Sequence, residues 1–516
     1  MTHLLSILIF WPILCAFILS FLPPTKNTKY FALAIVLVEF LLSILLYLNF
    51  NTESPHYQFV EKQEWIKLSL GNLGTAIVEY HVGIDGISLP LVLLTAFITL
   101  IATVSSFTID KKETTYYSLL LLLLGSLMGC FLALDFFLFF LFFEFMLLPM
   151  YFLIGIWGGE RREYAAIKFF LYTMVGSVFI LIVMIGLYLS MVDKNLNHSF
   201  DLNVLSNSKN YLIDSFLNPN NPVLIFGISA RNIAFWLLFL GFAIKLPIVP
   251  LHTWLPDAHV EAPTPVSVVL AAVLLKVGGY GFIRILLPIF PDIFEQNSNA
   301  LAIIATISII YGGLNALAQS DLKKMIAYSS VSHIGFVLLG IASYTMEGMN
   351  GALYQMVSHG ILSALLFLIV GVLYDRTHDR IIQNFQGLAK PMPQFTVVTA
   401  IAFFASLGLP AFSGFVGELF TLMGGFNANL IPKWLVTLAT LGIIISAGYF
   451  LWTFQRMFLG EFWQRNNNIL PDLSLREKLM LYPLVALTVI LGLFPQLFFN
   501  ISNKTFENFL VNQSVF

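Results

Sequence analysis

Long apolar runs separated by short polar loops fill the chain from residue 4 to residue 500. A helix needs about 20 apolar residues to cross a hydrocarbon core about 30 Å thick. The runs supply about 14 such spans, near 4–22, 29–50, 87–107, 116–134, 136–156, 166–191, 233–251, 262–289, 299–319, 325–343, 350–374, 395–425, 433–457 and 480–500. The longest polar stretches, 51–86 and 192–231, are too short and too mixed to be more than structured loops, so no soluble domain is predicted. The first run, His3 to Leu22, has no basic segment before it and no small-residue cleavage site ahead of Pro23 and Pro24. It is read as a retained transmembrane helix and not as a signal peptide.

Two of the runs are interrupted. Phe239 to Trp254 reads FLGFAIKLPIVPLHTW, with Pro247 and Pro250 just after Lys245. Ser406 to Glu418 reads SLGLPAFSGFVGE, with Gly408, Pro410, Gly414 and Gly417 ahead of a carboxylate. Proline removes an N–H and frees a carbonyl within a helix. At membrane depth this is tolerated only where protein or water supplies partners. A break beside an ionisable group in each half of the chain is the pattern of an inverted-repeat transporter, with repeats over the fourth to eighth and ninth to thirteenth spans. The predicted layout is 1–115 for three helices and an outer loop, 116–289 for the first repeat, 299–458 for the second, and 459–516 for an inner loop and last helix.

Composition agrees with the pattern. The chain is 58% hydrophobic and only 10% charged, against about 25% charged in soluble domains. Basic residues fall mainly on one side of the predicted spans, including Lys26, Lys29, Lys111, Lys112, Arg161, Arg162, Lys323, Lys324, Arg376 and Arg380. The positive-inside rule then sets both termini on the outer side. Two cysteines, Cys15 and Cys130, stand far apart without a CxxC context, which argues against a cysteine-held iron–sulfur cluster or a disulfide framework. There is no GxGxxG after a strand and no P-loop, so nucleotide binding lacks support. The net charge of −2 gives no reason to expect a nucleic-acid partner.

Against this background four charges stand out, because Glu144, Lys245, Lys276 and Glu418 lie within apolar segments. A charge at the bilayer centre costs several kcal/mol and usually marks function. At about 1.5 Å per residue, Glu144 lies about 12 Å, Lys276 about 16 Å and Lys245 about 18 Å into their spans, with His333 and His359 also near the middle. A structural ion pair between helices is the plainer alternative, as packing is for the histidines. A row of such groups parallel to the membrane suits lateral proton passage. Burial favours the neutral form of lysine and of glutamate, while an opposite charge favours the ionised form of both. Lys245 paired with Glu144 would therefore keep its proton and release it when the pair separates. Histidine suits the intermediate positions because it titrates near neutrality.

The segment HTWLPDAHVE, His252 to Glu261, holds two histidines and two carboxylates. Its spacing fits no standard zinc pattern, and Pro256 argues for a turn that shapes the break. Glu160, Arg161, Arg162 and Glu163 are read as an inner anchoring turn, and Asp135 as an interfacial cap or a proton entrance.

Two stretches carry a family resemblance. HTWLPDAHVEAPTPVSVVLAAVLLKVGGYG (252–281) and DLKKMIAYSSVSHIGF (321–336) resemble signatures of the antiporter-like membrane subunits of respiratory complex I, the proton-translocating NADH–quinone oxidoreductase. The resemblance implies an all-α polytopic fold of 14 transmembrane helices, two inverted five-helix repeats and broken helices 7 and 12. By position, Glu144 and Lys245 resemble the helix 5–helix 7 pair, Lys276 the central lysine of helix 8, and His333 a member of the connecting chain. His359 fits the polar axis and Glu418 the terminal site of helix 12. Glutamate there, with only about 16 residues after the last predicted span, resembles the M or chain 4 type; L and N types and multisubunit Na⁺(K⁺)/H⁺ antiporters typically carry lysine. The implied role is a proton channel without a redox site of its own, with NADH, FMN, iron–sulfur clusters and quinone held elsewhere in the complex. The implied partners are L-, N- and K-type neighbours and the lipid bilayer, in a bacterial inner membrane. The alternative is a subunit of a multisubunit Na⁺(K⁺)/H⁺ antiporter.

Overall fold

Inside a hydrocarbon core every backbone N–H and C=O must find a partner within the protein, which leaves the helix as the only spanning form for runs of this length. The computed structural model describes residues 3–23, 27–69, 75–194, 197–220, 223–465 and 470–513. Pro24 and Lys26 lie outside the described residues. All fourteen predicted apolar segments fall on a helix or a pair of helices. Among the described residues eleven helices are long and apolar enough to cross a membrane, or twelve if the bent pair Leu475–Leu493 and Gln496–Val511 is one span. The chain is thus a multi-pass membrane protein. That last pair differs from the single run predicted at 480–500: the chain turns by 66° at Phe494 and Pro495, where proline cannot continue the ladder.

Three helices, Thr264–Ile289, Leu322–Ser343 and Met346–Thr377, are buried almost all round and form the centre. Thr28–Leu48, Arg162–Ser190 and Lys433–Phe458 sit at the rim and turn an apolar face outward. Helices apolar on all sides are expected at both places, since lipid and protein interior are equally apolar.

Both interrupted runs are broken helices. Ala230–Lys245 ends at Leu246, and Trp254–Glu261 follows as a separate short helix. Part of the backbone freed at the break finds partners within the protein. Trp254 Nε1 donates to the Ile244 carbonyl at 2.9 Å, and the Val249 N–H donates to Ser308 Oγ at 3.1 Å. The predicted turn at Pro256 is instead the first turn of that short helix. Proline is tolerated there because the N–H it lacks would have no partner in the helix. The second break separates Pro393–Ser406 from Ser413–Asn427. Gly408 lies in it at φ 82°, a backbone conformation that favours glycine, and a Cβ there would meet Glu418 Oε2 at 2.6 Å and push that carboxylate aside.

Thr264–Ile289 carries two π turns, Leu270–Leu274 and Phe282–Leu286, on either side of Lys276. Such bulges widen the helix and gather at functional positions. Gly278 brings this helix against the first break, where a Cβ would meet the Leu246 backbone nitrogen at 2.6 Å. Gly278→Ala is expected to force the two apart and to destabilise the chain by about 1–3 kcal/mol, measured as a lower melting temperature in detergent.

The stretch 51–86, predicted as a structured loop, contains a β-hairpin of Gln58–Ser69 and Thr75–Ile84. A third short strand, His198–Ser199, joins it in parallel from the other long loop.

Candidate functional site

The midmembrane residues fall into two groups. In the second half, Lys276 Nζ donates to the Ala271 carbonyl at 2.6 Å and lies 2.8 Å from His359 Nδ1. The acceptor Ala271 belongs to the first π turn, which explains why that distortion stands next to the lysine. The His359 and His333 rings are 5.7 Å apart between centroids. His333 Nδ1 then meets Glu418 Oε1 at 3.0 Å. Lys276, His359, His333 and Glu418 therefore form a line across four helices, hydrogen-bonded at both ends and in ring contact at its middle, every member at least nine-tenths buried. Beside it is a cavity of about 10 Å³ lined by Ser329, Ser330, Gln355 and Ser406 among others, close to the space a single water needs.

Glu144 and Lys245 make up the first group, and the expected pair is open. Lys245 Nζ has no hydrogen-bond partner and faces the Phe143 ring at 4.9 Å and the Phe169 ring at 5.7 Å. One Glu144 oxygen is also buried without a partner, and Ser177 is its polar neighbour. Aromatic faces attract a cation but take no proton from it. Among the described residues no hydrogen bond joins this group to Lys276.

The HTWLPDAHVE side chains take separate partners. Asp257 pairs with Lys168 at 2.7 Å, and His252 packs edge-on against Tyr311. His259 stacks on Phe367 at 4.5 Å, while Glu261 accepts the Arg161 N–H at 2.9 Å. That last contact ties the Glu160–Glu163 turn to the end of the short helix. Asp135 is a cap: its carboxylate accepts the Leu138 N–H at 2.9 Å at the start of Phe136–Phe145. Burial pushes this carboxyl up to about 7, against the N–H groups of Leu138 and Glu79, which favour its anion.

Sequence reasoning passed over several buried charges. Glu39 lies in Thr28–Leu48, fully buried, with neither oxygen hydrogen-bonded. Arg284 grips Asp85 through two bonds of 2.6 and 2.7 Å. Both sit in segments predicted to span, so the test that found Lys276 would have found them too. Lys323 was assigned to a basic inner loop, yet it is buried and donates to the Ala262 carbonyl at 2.5 Å. It lines a cavity of about 600 Å³ with Glu261, Asp321, Asp379, Arg380 and Arg476. Only folding could bring these loops together.

Residues 133–446 match the family described as NADH:quinone oxidoreductase/Mrp antiporter, transmembrane. The chain is 43% identical over 516 residues to NADH-quinone oxidoreductase subunit M of Rickettsia bellii, covering 98% of both chains. It superposes on a chain of respiratory complex I from Thermus thermophilus with TM-score 0.83 and 30% identity, over 98% of this chain and 99% of that one. A chain of the Mrp complex from Dietzia sp. shares the fold, with TM-score 0.83, 21% identity and 98% coverage of both. The chain belongs to the transmembrane family shared by NADH:quinone oxidoreductases and Mrp antiporters.

Proposed function

We propose that this chain is an M-type membrane-arm subunit of an NADH–quinone oxidoreductase and carries protons through a midmembrane relay. The observation that carries the reading is the line Lys276, His359, His333, Glu418, with contacts of 2.8 Å and 3.0 Å at its ends and two tilted imidazoles, 5.7 Å apart between centroids, at its middle. In this line an ammonium can give a proton to an imidazole, and an imidazole to a carboxylate. Each group changes charge as it does so, and the change alters the proton affinity of its neighbour in a medium of low dielectric. Glu144 and Lys245 are the switching pair. With the pair open, Lys245 is poised to release its proton, and closing it favours the charged form.

The redox groups, NADH, FMN, iron–sulfur clusters and quinone, belong to other subunits under this reading, and the chain itself performs no electron transfer. L-, N- and K-type subunits are its proposed neighbours. Fourteen spans in two inverted repeats, a bacterial inner membrane, and both termini on the outer side complete the proposal; the basic loops support that orientation. Glu418 and the 43% identity to a subunit M favour this reading over an antiporter subunit.

The test is purification of the tagged chain in mild detergent with whatever assembles on it, followed by reconstitution in liposomes. Quinone reduction by NADH coupled to proton uptake is the expected result. A redox-inactive assembly exchanging Na⁺ or K⁺ for H⁺ would overturn it. Lys245→Met separates function from folding. An unpaired buried charge costs stability, methionine is close to lysine in volume, and Lys245 has no hydrogen bond to lose. The variant is expected to assemble and melt like the parent while losing most proton uptake.

A further inference from the structure

The outer hairpin holds a polar cluster that the midmembrane relay does not use. Strand alternation places Glu79 and His81 on one face of Thr75–Ile84, and Lys62 lies opposite His81 in the register. His198–Ser199 pairs in parallel with that strand, and Asp201 follows two residues later. One ligating atom each from Glu79, His81 and Asp201 lie within 4.8 Å of one another. His81 is 5% exposed and Asp201 4%. His81 Nδ1 lies 3.2 Å from Asp201 Oδ2 but makes no aligned hydrogen bond, and neither does the buried Glu79 Oε2. The Lys62 ammonium bridges the carboxylates at 2.8 Å from Glu79 and 2.7 Å from Asp201, on a side chain that is 43% exposed.

One imidazole and two carboxylates suit a borderline divalent ion such as Zn²⁺, with water in the fourth position. Calcium takes six or more oxygens and is a poor match to this set. Zinc bonds of about 2.0–2.2 Å require ligand atoms about 3.4 Å apart, so the cluster must contract by roughly 1.5 Å, within reach of side-chain rotation. Charge favours the exchange. Two carboxylates with one ammonium leave a net −1, and a divalent ion in place of the ammonium brings the site to zero. Lys62 is long and half in solvent, so it can swing away without opening the core.

We infer that Glu79, His81 and Asp201 form an outer-face site for a zinc-like divalent ion, with the Lys62 ammonium as its built-in competitor. Metal binding replaces a lysine link by a coordinate one and clamps the hairpin to the loop that carries Asp201. The site is independent of the proposed proton relay.

The test uses the full chain in mild detergent, stripped with a chelator and titrated with Zn²⁺ against a chromophoric competitor. Lys62→Met is expected to raise the affinity of one equivalent about tenfold. His81→Ala and Asp201→Asn are expected to lower it at least about tenfold. An unchanged melting temperature of Lys62→Met and the losses in His81→Ala and Asp201→Asn tie the gain to this site. Equal Zn²⁺ binding by the parent, Lys62→Met and His81→Ala overturns the site, as does an absence of any bound equivalent in both the parent and Lys62→Met.

Discussion

Lys276→Ala is expected to cut proton uptake by vesicles about tenfold or more, the scale on which a positioned proton-transfer group acts, while the chain still assembles. Lys276 is 1% exposed, and its ammonium makes two contacts, to Ala271 and to His359. Alanine removes the proton carrier and leaves His359 Nδ1 facing empty space. The fold has reason to survive: the helix around Lys276 is buried on all sides and held by apolar contacts, and the π turn that supplies Ala271 extends over five residues. Assembly, uncoupled NADH–quinone turnover and proton uptake are measured on one preparation. Full proton uptake by an assembled Lys276→Ala variant would remove Lys276 from the relay and leave the 2.8 Å contact as a structural one.

The largest stability effect is expected at Arg284. Its guanidinium makes two bonds to Asp85, one to Tyr57 at 2.9 Å and one to Tyr280 at 3.1 Å. Tyr280 in turn donates to the Phe131 carbonyl at 2.9 Å. Asp85 also accepts the N–H groups of Ile87 and Ser88 where the Ser88–Ser105 helix begins. One side chain therefore joins the residues flanking the hairpin, two helix ends and the central helix. Arg284→Ala leaves the Asp85 carboxylate, about 3% exposed, without its counter-ion, a change that costs about 3–5 kcal/mol. The expected result is a sharp fall in melting temperature and in the yield of assembled chain. Adding Asp85→Asn to Arg284→Met removes both charges while keeping an acceptor for Ile87 and Ser88, so part of the loss should return. If Arg284→Ala alone melts like the parent, the pair contributes no net stability and the hairpin is held by its apolar contacts.

Glu418 and Glu39 show how much of the site can be read from the chain. A carboxylate inside an apolar run is visible in either case. Glu418 also stands beside a glycine- and proline-rich break, whereas Glu39 stands in an unbroken run. The structure gives Glu418 a histidine partner and leaves Glu39 with none. Lys323 was misread for the opposite reason. It is one of two adjacent lysines beside a loop, the usual sign of a solvated inner anchor, and only the packing of Trp254–Glu261 against its helix buries it. Of the paired and separated states that the sequence allows Glu144 and Lys245, the structure shows the separated one, with Lys245 on the faces of Phe143 and Phe169. No spacing rule encodes that, because the rings and the charges come from three different helices.

The sequence by itself determined the helices, their breaks and the presence of ionisable groups at depth. Each of these follows from local composition: apolar length sets a span, proline and glycine end it, and the cost of a bare charge in lipid makes any exception informative. Tertiary structure decided which charges touch. A contact of about 3 Å depends on how helices far apart in the chain rotate and cross. That is fixed by side-chain packing at sites such as Gly278 and Gly408, where the room for a neighbour is set by atoms distant in sequence.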